Sequence, residues 1–293
     1  IRDLTVTGVQ TCALPISERS LPALKASFLD HQVPLADPSA GDSAGLRQVL
    51  LFVDTFNNYM EPENARAAKR VLEAAGYTVH VNRRAGERPL CCGRTFLAAG
   101  LVDEAKAEAR RLLDALMPFV ERGVPIVGLE PSCLLSLRDE VLSYGFGDAA
   151  RKLADNAFLF EEFLVREKTA GRFDVAWRAL PDGVGEALVH GHCHQKAFDA
   201  FSPVTAVLGW VPGLKVSSIE SSCCGMAGSF GYEAEHYDTS RAMSELTLLP
   251  AVRQRGENAI VVADGTSCRH QIHDGAQTQA LHVACVLDRA LPA

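Results

Sequence analysis

From residue 47 to the C-terminus, apolar runs of strand length alternate with stretches of helical period. "QVLLFVDTF" (48–56) is the first such run, apolar and of strand length. "PENARAAKRVLEAAG" (62–76) comes next. Pro62 suits the first helical position, Gly76 the stop, and Ala65, Ala68, Leu72 and Ala75 share one face. "YTVHV" reads as the next strand. A long helix runs to about Met117, with Ala105, Ala109, Leu112 and Leu116 on one side, and "PIVGLE" is a third strand. A further helix, "FLFEEFLVREKTAG" (158–171), joins this stretch to the second half; its Glu161 and Glu162 read as a solvated face.

The second half repeats that order. "EALVHGHC" (186–193) is a strand, and "HQKAFDAFSPVTAVL" a helix that Pro203 is expected to break. "LKVSSIE" is a strand, "EHYDTSRAMSELTLLPAV" mostly helical, and "NAIVVADGTSC" a strand. The last helix, "ALHVACVLDRAL", buries Val283 and Leu287, with Cys285 as a core thiol. Strand–helix alternation predicts βαβ units and parallel sheets. The expected fold is α/β: two duplicated parallel-sheet domains, residues 47–183 and 184–293.

The triplet CCG anchors the repeat, at Cys91–Gly93 and at Cys223–Gly225. In each half the cysteines fall just past C-terminal ends of predicted strands, where an open parallel sheet forms its ligand crevice. Cys193, Cys223, Cys224 and Cys268 are therefore expected to converge, and four thiolates around one point is what an iron–sulfur cluster requires. Gly225 lets the backbone pass close to a bulky group.

Composition narrows the field. The chain has 293 residues, 36 acidic against 29 basic, and no Lys/Arg block, which argues against a nucleic-acid surface. No apolar run is long enough to form a transmembrane segment. Nine cysteines in a chain too long to need disulfides point to reduced thiols used for metal or redox chemistry. The expected location is cytoplasmic, with peripheral association at the inner face of the membrane left open. "VTGVQTCALPI" (6–16) looks like a translated sequencing adapter. Residues 1–46 are therefore expected to be a disordered tail, adapter-like and then linker, with the true N-terminus missing. Residues 6–16 are expected to pack on nothing.

Zinc is the rival metal, because "HGHCHQ" gathers His190, His192, Cys193 and His194, yet the short C-x-x-C spacing of zinc sites is missing. A nucleophilic cysteine at Cys193 leaves the duplicated CCG unexplained. Histidines beside a cluster can hydrogen-bond its sulfurs.

"CCG…LAAGLVDEA", "EPSCLLSLRDE", "HGHCHQKA", "SSCCGMAGSFGYEAEHYDTS" and "DGTSCRHQI" together resemble the cysteine-rich (CCG) domain family, over about residues 47–293. That family includes the iron–sulfur protein of glycolate oxidase, the C subunit of anaerobic glycerol-3-phosphate dehydrogenase and the B subunit of heterodisulfide reductase. The chain also resembles the C-terminal part of FAD-linked D-2-hydroxy-acid dehydrogenases. The resemblance implies an iron–sulfur cluster, of 4Fe-4S type, on Cys193, Cys223, Cys224 and Cys268, with His192, His194 and Gly225 around it. Cys91, Cys92 and Cys133 match in the first half. Asp54 stands where some relatives have a leading cysteine, and Gly265 where some have the first of a C-x-x-C. It further implies FAD on an upstream domain or partner subunit, a ferredoxin-like domain, and a quinone or similar electron acceptor. The function implied is electron transfer within a FAD-linked 2-hydroxy-acid dehydrogenase, with the chain not active alone. A heterodisulfide-type thiol–disulfide reductase and a cluster-free scaffold that binds other subunits are the alternatives.

Overall fold

The computed structural model describes residues 19, 21–31, 47–82 and 88–292. The adapter-like stretch and Cys12 lie outside the described residues. A one-turn helix α1 (Phe28–His31) precedes the first sheet. β1 (Arg47–Phe52) leads into α2 (Thr55–Tyr59) and α3 (Pro62–Ala74), then β2 (Tyr77–Val81). The short α4 (Arg94–Ala98) and long α5 (Val102–Val120) return the chain to β3 (Ile126–Gly128). α6 (Pro131–Leu135), two 3₁₀ turns and α7 (Asp148–Asp155) connect to β4 (Ala157–Leu159) and α8 (Phe160–Thr169).

The second half runs β5 (Glu186–His190), α9 (Cys193–Ala197), α10 (Ser202–Leu208) and β6 (Lys215–Ser218). α11 (Tyr237–Glu245), α12 (Leu248–Arg253), β7 (Ala259–Ala263), α13 (Thr266–Ala276), β8 (Ala280–Leu281) and α14 (Val283–Arg289) complete it. Pro203 breaks the predicted helix as expected, seated in the first turn of α10. The stretch 235–252 is mostly helical as expected, in two helices with the chain turning between Glu245 and Leu248.

Among the described residues there are two four-stranded sheets, ordered β2-β1-β3-β4 and β6-β5-β7-β8, and every pairing is parallel. The duplicated α/β architecture is thus observed. In each sheet the chain leaves the first strand for one neighbour and later returns on its other side. That reversal opens a crevice at the C-terminal strand ends, β1/β3 in one half and β5/β7 in the other.

The register gives a residue-by-residue correspondence between the halves. Phe52 of β1 pairs with Gly128 of β3, and His190 of β5 pairs with Ala263 of β7. Phe52 and His190 are therefore equivalent, as are Gly128 and Ala263. Counting on, Asp54 matches His192, Thr55 matches Cys193, and Glu130 matches Gly265.

The halves share one core. Val49, Leu51, Phe160 and Phe163 from the first half are continuous with Val189, Val207, Val286 and Leu287 from the second. α3 packs on α14 and α8 on α10, pairings that exchange under the same correspondence. Two further cores lie outside this layer, one under α5 around Leu112 and Ile126, the other under α13 around Val261 and Ile272. Cys285 packs against the shared core and donates to Asn64 Oδ1 at 3.2 Å.

Two expectations change at the joint. Glu161 is not solvated: it is 1% exposed and accepts from Gln195 Nε2 at 2.6 Å, while Glu162 takes Arg138 at 2.7 Å. Where a linker was expected before residue 47, Phe28 and Leu29 are buried in the shared core. Asn58 Oδ1 accepts from the Leu29 amide and the Ser27 hydroxyl. Arg19 is buried in the second half, donating to Gly231 O at 2.6 Å and Ser240 Oγ at 3.1 Å.

Candidate functional site

Each half presents the same scaffold. A short helix begins three residues past the central strand end, capped by the side chain before it. Asp54 caps α2, accepting from Phe56 N and Asn57 N. His192 caps α9, its Nδ1 accepting from His194 N at 3.1 Å. The first helical residue is Thr55 in one half and Cys193 in the other. Within this chain, Thr55 takes the place of Cys193, and Asp54 that of His192. Aligning the halves on strand ends rather than on cysteines would have found this.

The CCG glycines have one physical reason. Gly93 has φ +82° and Gly225 φ +89°, the left-handed region glycine favours. A Cβ at Gly93 would meet the carbonyl oxygen of Ala105 at 2.6 Å, and at Gly225 that of Ser240 at 2.3 Å. Each triplet turns tightly against a helix of its own half. The turn also places the glycine amide on the first cysteine: Gly225 N donates to Cys223 Sγ at 3.3 Å and Gly93 N to Cys91 Sγ at 3.5 Å.

In the second half the four thiols form one hydrogen-bonded run: Cys193 to Cys223, Cys223 to Cys224, Cys224 to Cys268. Cys193 is exposed, Cys223 half-buried, and Cys224 and Cys268 buried, so the run leads from solvent inward. A hydrogen bond from Cys193, then one from Cys224 and the Gly225 amide hold the Cys223 thiol far below its usual range. Cys268 is also lowered, by a hydrogen bond from Cys224 and by His190 and His192, against its burial. Cys193 and Cys224, which supply those bonds, are raised. The structure thus brings together the four cysteines singled out in this half, with His192 beside Cys193 at 4.0 Å.

His194 turns toward the other half. Its Nε2 meets Arg94 Nη2 at 3.1 Å, and burial with the Arg94 charge lowers its pKa to about 4. Arg94 directly follows the first CCG and also pairs with Glu140, so this contact ties the first CCG turn to the start of α9. Gly265 faces the second-half site: a Cβ there would lie 2.3 Å from His192 Cδ2 and 3.3 Å from Cys268 Sγ.

The first half brings Cys91, Cys92 and Cys133 into a matching run, with the Thr55 hydroxyl on Cys91. Its surroundings are acidic. A hydrogen bond from Cys92 lowers Cys133, but burial and the Asp54 and Glu130 carboxylates outweigh it and push Cys133 up to about 12. Cys91 and Cys92 are raised too. Asp54 is itself raised to about 6, by burial and then by Glu130. Glu130 bridges the halves, accepting from Ser132 Oγ at 2.6 Å and from Thr266 N of the second half at 2.9 Å. Beside it Glu61 binds Thr266 and Arg269; burial opposes its ionisation, but the Arg269 charge holds it down at about 2. None of Thr55, Glu130, Glu61 or Arg269 carried a sequence signal of its own.

Soft thiolates in contact, amide donors on the sulfurs and a glycine-lined wall are the donor chemistry of an iron–sulfur centre. The second-half residues fit that group. Residues 51–138 match the family model of the cysteine-rich domain, CCG. The match lies within the first half and takes in its CCG triplet and Cys133. The register correspondence extends the same scaffold, CCG triplet included, to the second half. The chain is 29% identical over 247 residues to the C subunit of anaerobic glycerol-3-phosphate dehydrogenase from Escherichia coli (strain K12), covering 83% of this chain and 59% of that protein. It is 24% identical over 291 residues to D-2-hydroxyglutarate dehydrogenase of the same strain, covering 93% of this chain and 26% of that one. With lactate utilization protein A 2 of Bacillus cereus it shares 24% over 257 residues, 83% of this chain and 99% of the relative. The chain thus spans only part of the first two. The CCG resemblance stands, and these relatives support a redox role. Among the described residues no helix is long and apolar enough to cross a membrane.

Proposed function

We propose that this chain is the iron–sulfur electron-transfer part of a FAD-linked 2-hydroxy-acid dehydrogenase, working with a flavin-bearing domain or subunit and passing electrons to a quinone or similar acceptor. The observation that carries the reading is the run Cys193–Cys223–Cys224–Cys268, open to solvent at Cys193 and buried at Cys268. Two relatives whose names carry a 2-hydroxy acid, D-2-hydroxyglutarate and lactate, support the substrate class. A 4Fe-4S-type cluster, when bound, supplies a one-electron carrier. The chain's own residues hold and tune it. Cys223, Cys224 and Cys268 anchor it from the buried side, the Gly225 amide offsets negative charge on sulfur, and Cys193 presents the exposed edge to a partner centre.

The test uses the protein joined to its flavin-bearing part, purified anaerobically. Substrate should reduce the flavin and then a quinone analogue, and visible absorption with iron and sulfide analysis should report the cluster. Cys223→Ser should block reduction of the acceptor and leave flavin reduction intact. Loss of flavin reduction in a folded variant would contradict the relay role and favour a thiol–disulfide reductase. Absence of iron and sulfide from the unaltered protein would leave only a scaffold.

A further inference from the structure

His190 ends β5 at the base of the second-half crevice and is 1% exposed. Its Nδ1 is taken by Ser221 Oγ at 2.8 Å, in the turn that carries Cys223. Its Nε2 is buried and bonds to no nitrogen or oxygen; the thiol of Cys268 is what it faces. Ser221 fixes the ring so that this nitrogen stays where it is. What it meets is sulfur: a ring nitrogen of His190 and the Sγ atoms of Cys224 and Cys268 lie within 4.8 Å of one another. All three side chains are buried. One imidazole nitrogen and two thiolate sulfurs, converging on a point from two strand ends and the CCG turn, form a donor set for a soft transition metal. The second ring nitrogen is already held by a hydroxyl, the usual way a metal-binding histidine is oriented. The first half has no counterpart, because Phe52 occupies the equivalent position.

We infer that His190 is a metal ligand, its Nε2 binding alongside Cys224 and Cys268, and that the inner corner of the second-half centre is held by one nitrogen and two sulfurs rather than by sulfur alone. The inference rests on the reading that these cysteines hold metal. It distinguishes the two halves by ligand type, because the first half can offer only sulfur and oxygen at the same corner.

The probe is Co²⁺, titrated anaerobically into the reduced, metal-free chain. The unaltered chain should bind with a thiolate charge-transfer band and tetrahedral d–d bands. His190→Phe, which copies the first half, should weaken binding by on the order of tenfold or more and shift the d–d bands. His190→Gln, which keeps polarity and approximate size, should do the same if the phenylalanine variant fails to fold. Cys91→Ser should change neither. Equal affinity and unchanged bands in a folded His190 variant would overturn the assignment, as would failure of the unaltered chain to bind Co²⁺ through thiolate. Iron–sulfur reconstitution of the same proteins separates the two readings. A cluster that assembles while Co²⁺ binding ignores His190 sinks the ligand and spares the function. Co²⁺ binding that depends on His190 without any cluster does the reverse.

Discussion

The two halves carry the same backbone and different pockets. At four matching positions the first half has Phe52, Asp54, Thr55 and Glu130 where the second has His190, His192, Cys193 and Gly265. The contrast is sharpest at the buried thiol that follows the third strand of each half. Carboxylates face Cys133 and push its thiol up; imidazoles face Cys268 and help to hold it down. Metal-binding sulfur must be deprotonated, so on the proposed function the second pocket is the one expected to hold metal more tightly. Duplication preserved the turn geometry, including both positive-φ glycines, and let the chemistry diverge at the strand ends.

The largest expected effect tests whether the halves stand or fall together. Glu61→Gln leaves the buried Arg269 guanidinium without its carboxylate at the joint, and breaking a buried pair this way costs about 3–5 kcal/mol. Chemical denaturation should show both halves unfolding in one weakened transition. The pH dependence follows from the same pair. Glu61 is held at about 2 against an ordinary 4.5, so its stabilisation is complete above about pH 4.5 and is lost as pH falls toward 2. Acid unfolding of the glutamine variant should lack that component.

Next come the two glycines. Gly225→Ala should cost about 3 kcal/mol, the upper end for a non-glycine residue at positive φ, because its Cβ also meets a backbone carbonyl. Gly93→Ala should cost somewhat less, since its closest approach is 2.6 Å against 2.3 Å. Equal costs by thermal melting would show that the turns differ in ways the close contacts do not capture.

Arg19→Ala should remove about 1.5 kcal/mol, as expected for hydrogen bonds made by a buried cation. Hydrogen exchange should quicken over residues 225–240, where Gly231 and Ser240 lose their partner, and stay unchanged over 91–100. The smallest effect sharpens the contrast from the other side. Thr55→Cys gives the first half its fourth thiol at the position of Cys193 and should add a modest amount of bound iron there, limited by the carboxylates that remain.

The fold was legible because both helix and strand periods were clean and the second half repeated the first. Its four thiols were found from their places at strand ends. Three things were hidden. Glu161 reads as a surface residue because "FEEF" is polar on one side, yet that side meets Gln195 and not water. The equivalence of Asp54 with His192 and of Thr55 with Cys193 rests on strand register, which residue order alone does not supply. The role of residues 19–31 depends on contacts with Gly231 and Asn58, far along the chain, which no local pattern reports.

Metal content reads out the asymmetry between the two halves. The chain should be reconstituted anaerobically with iron and sulfide, unaltered and as Cys224→Ser and Cys91→Ser, and both elements counted per chain. Cys224→Ser should lose most of the iron and sulfide, and Cys91→Ser should keep most of them. Equal losses, or a greater loss from Cys91→Ser, would contradict it.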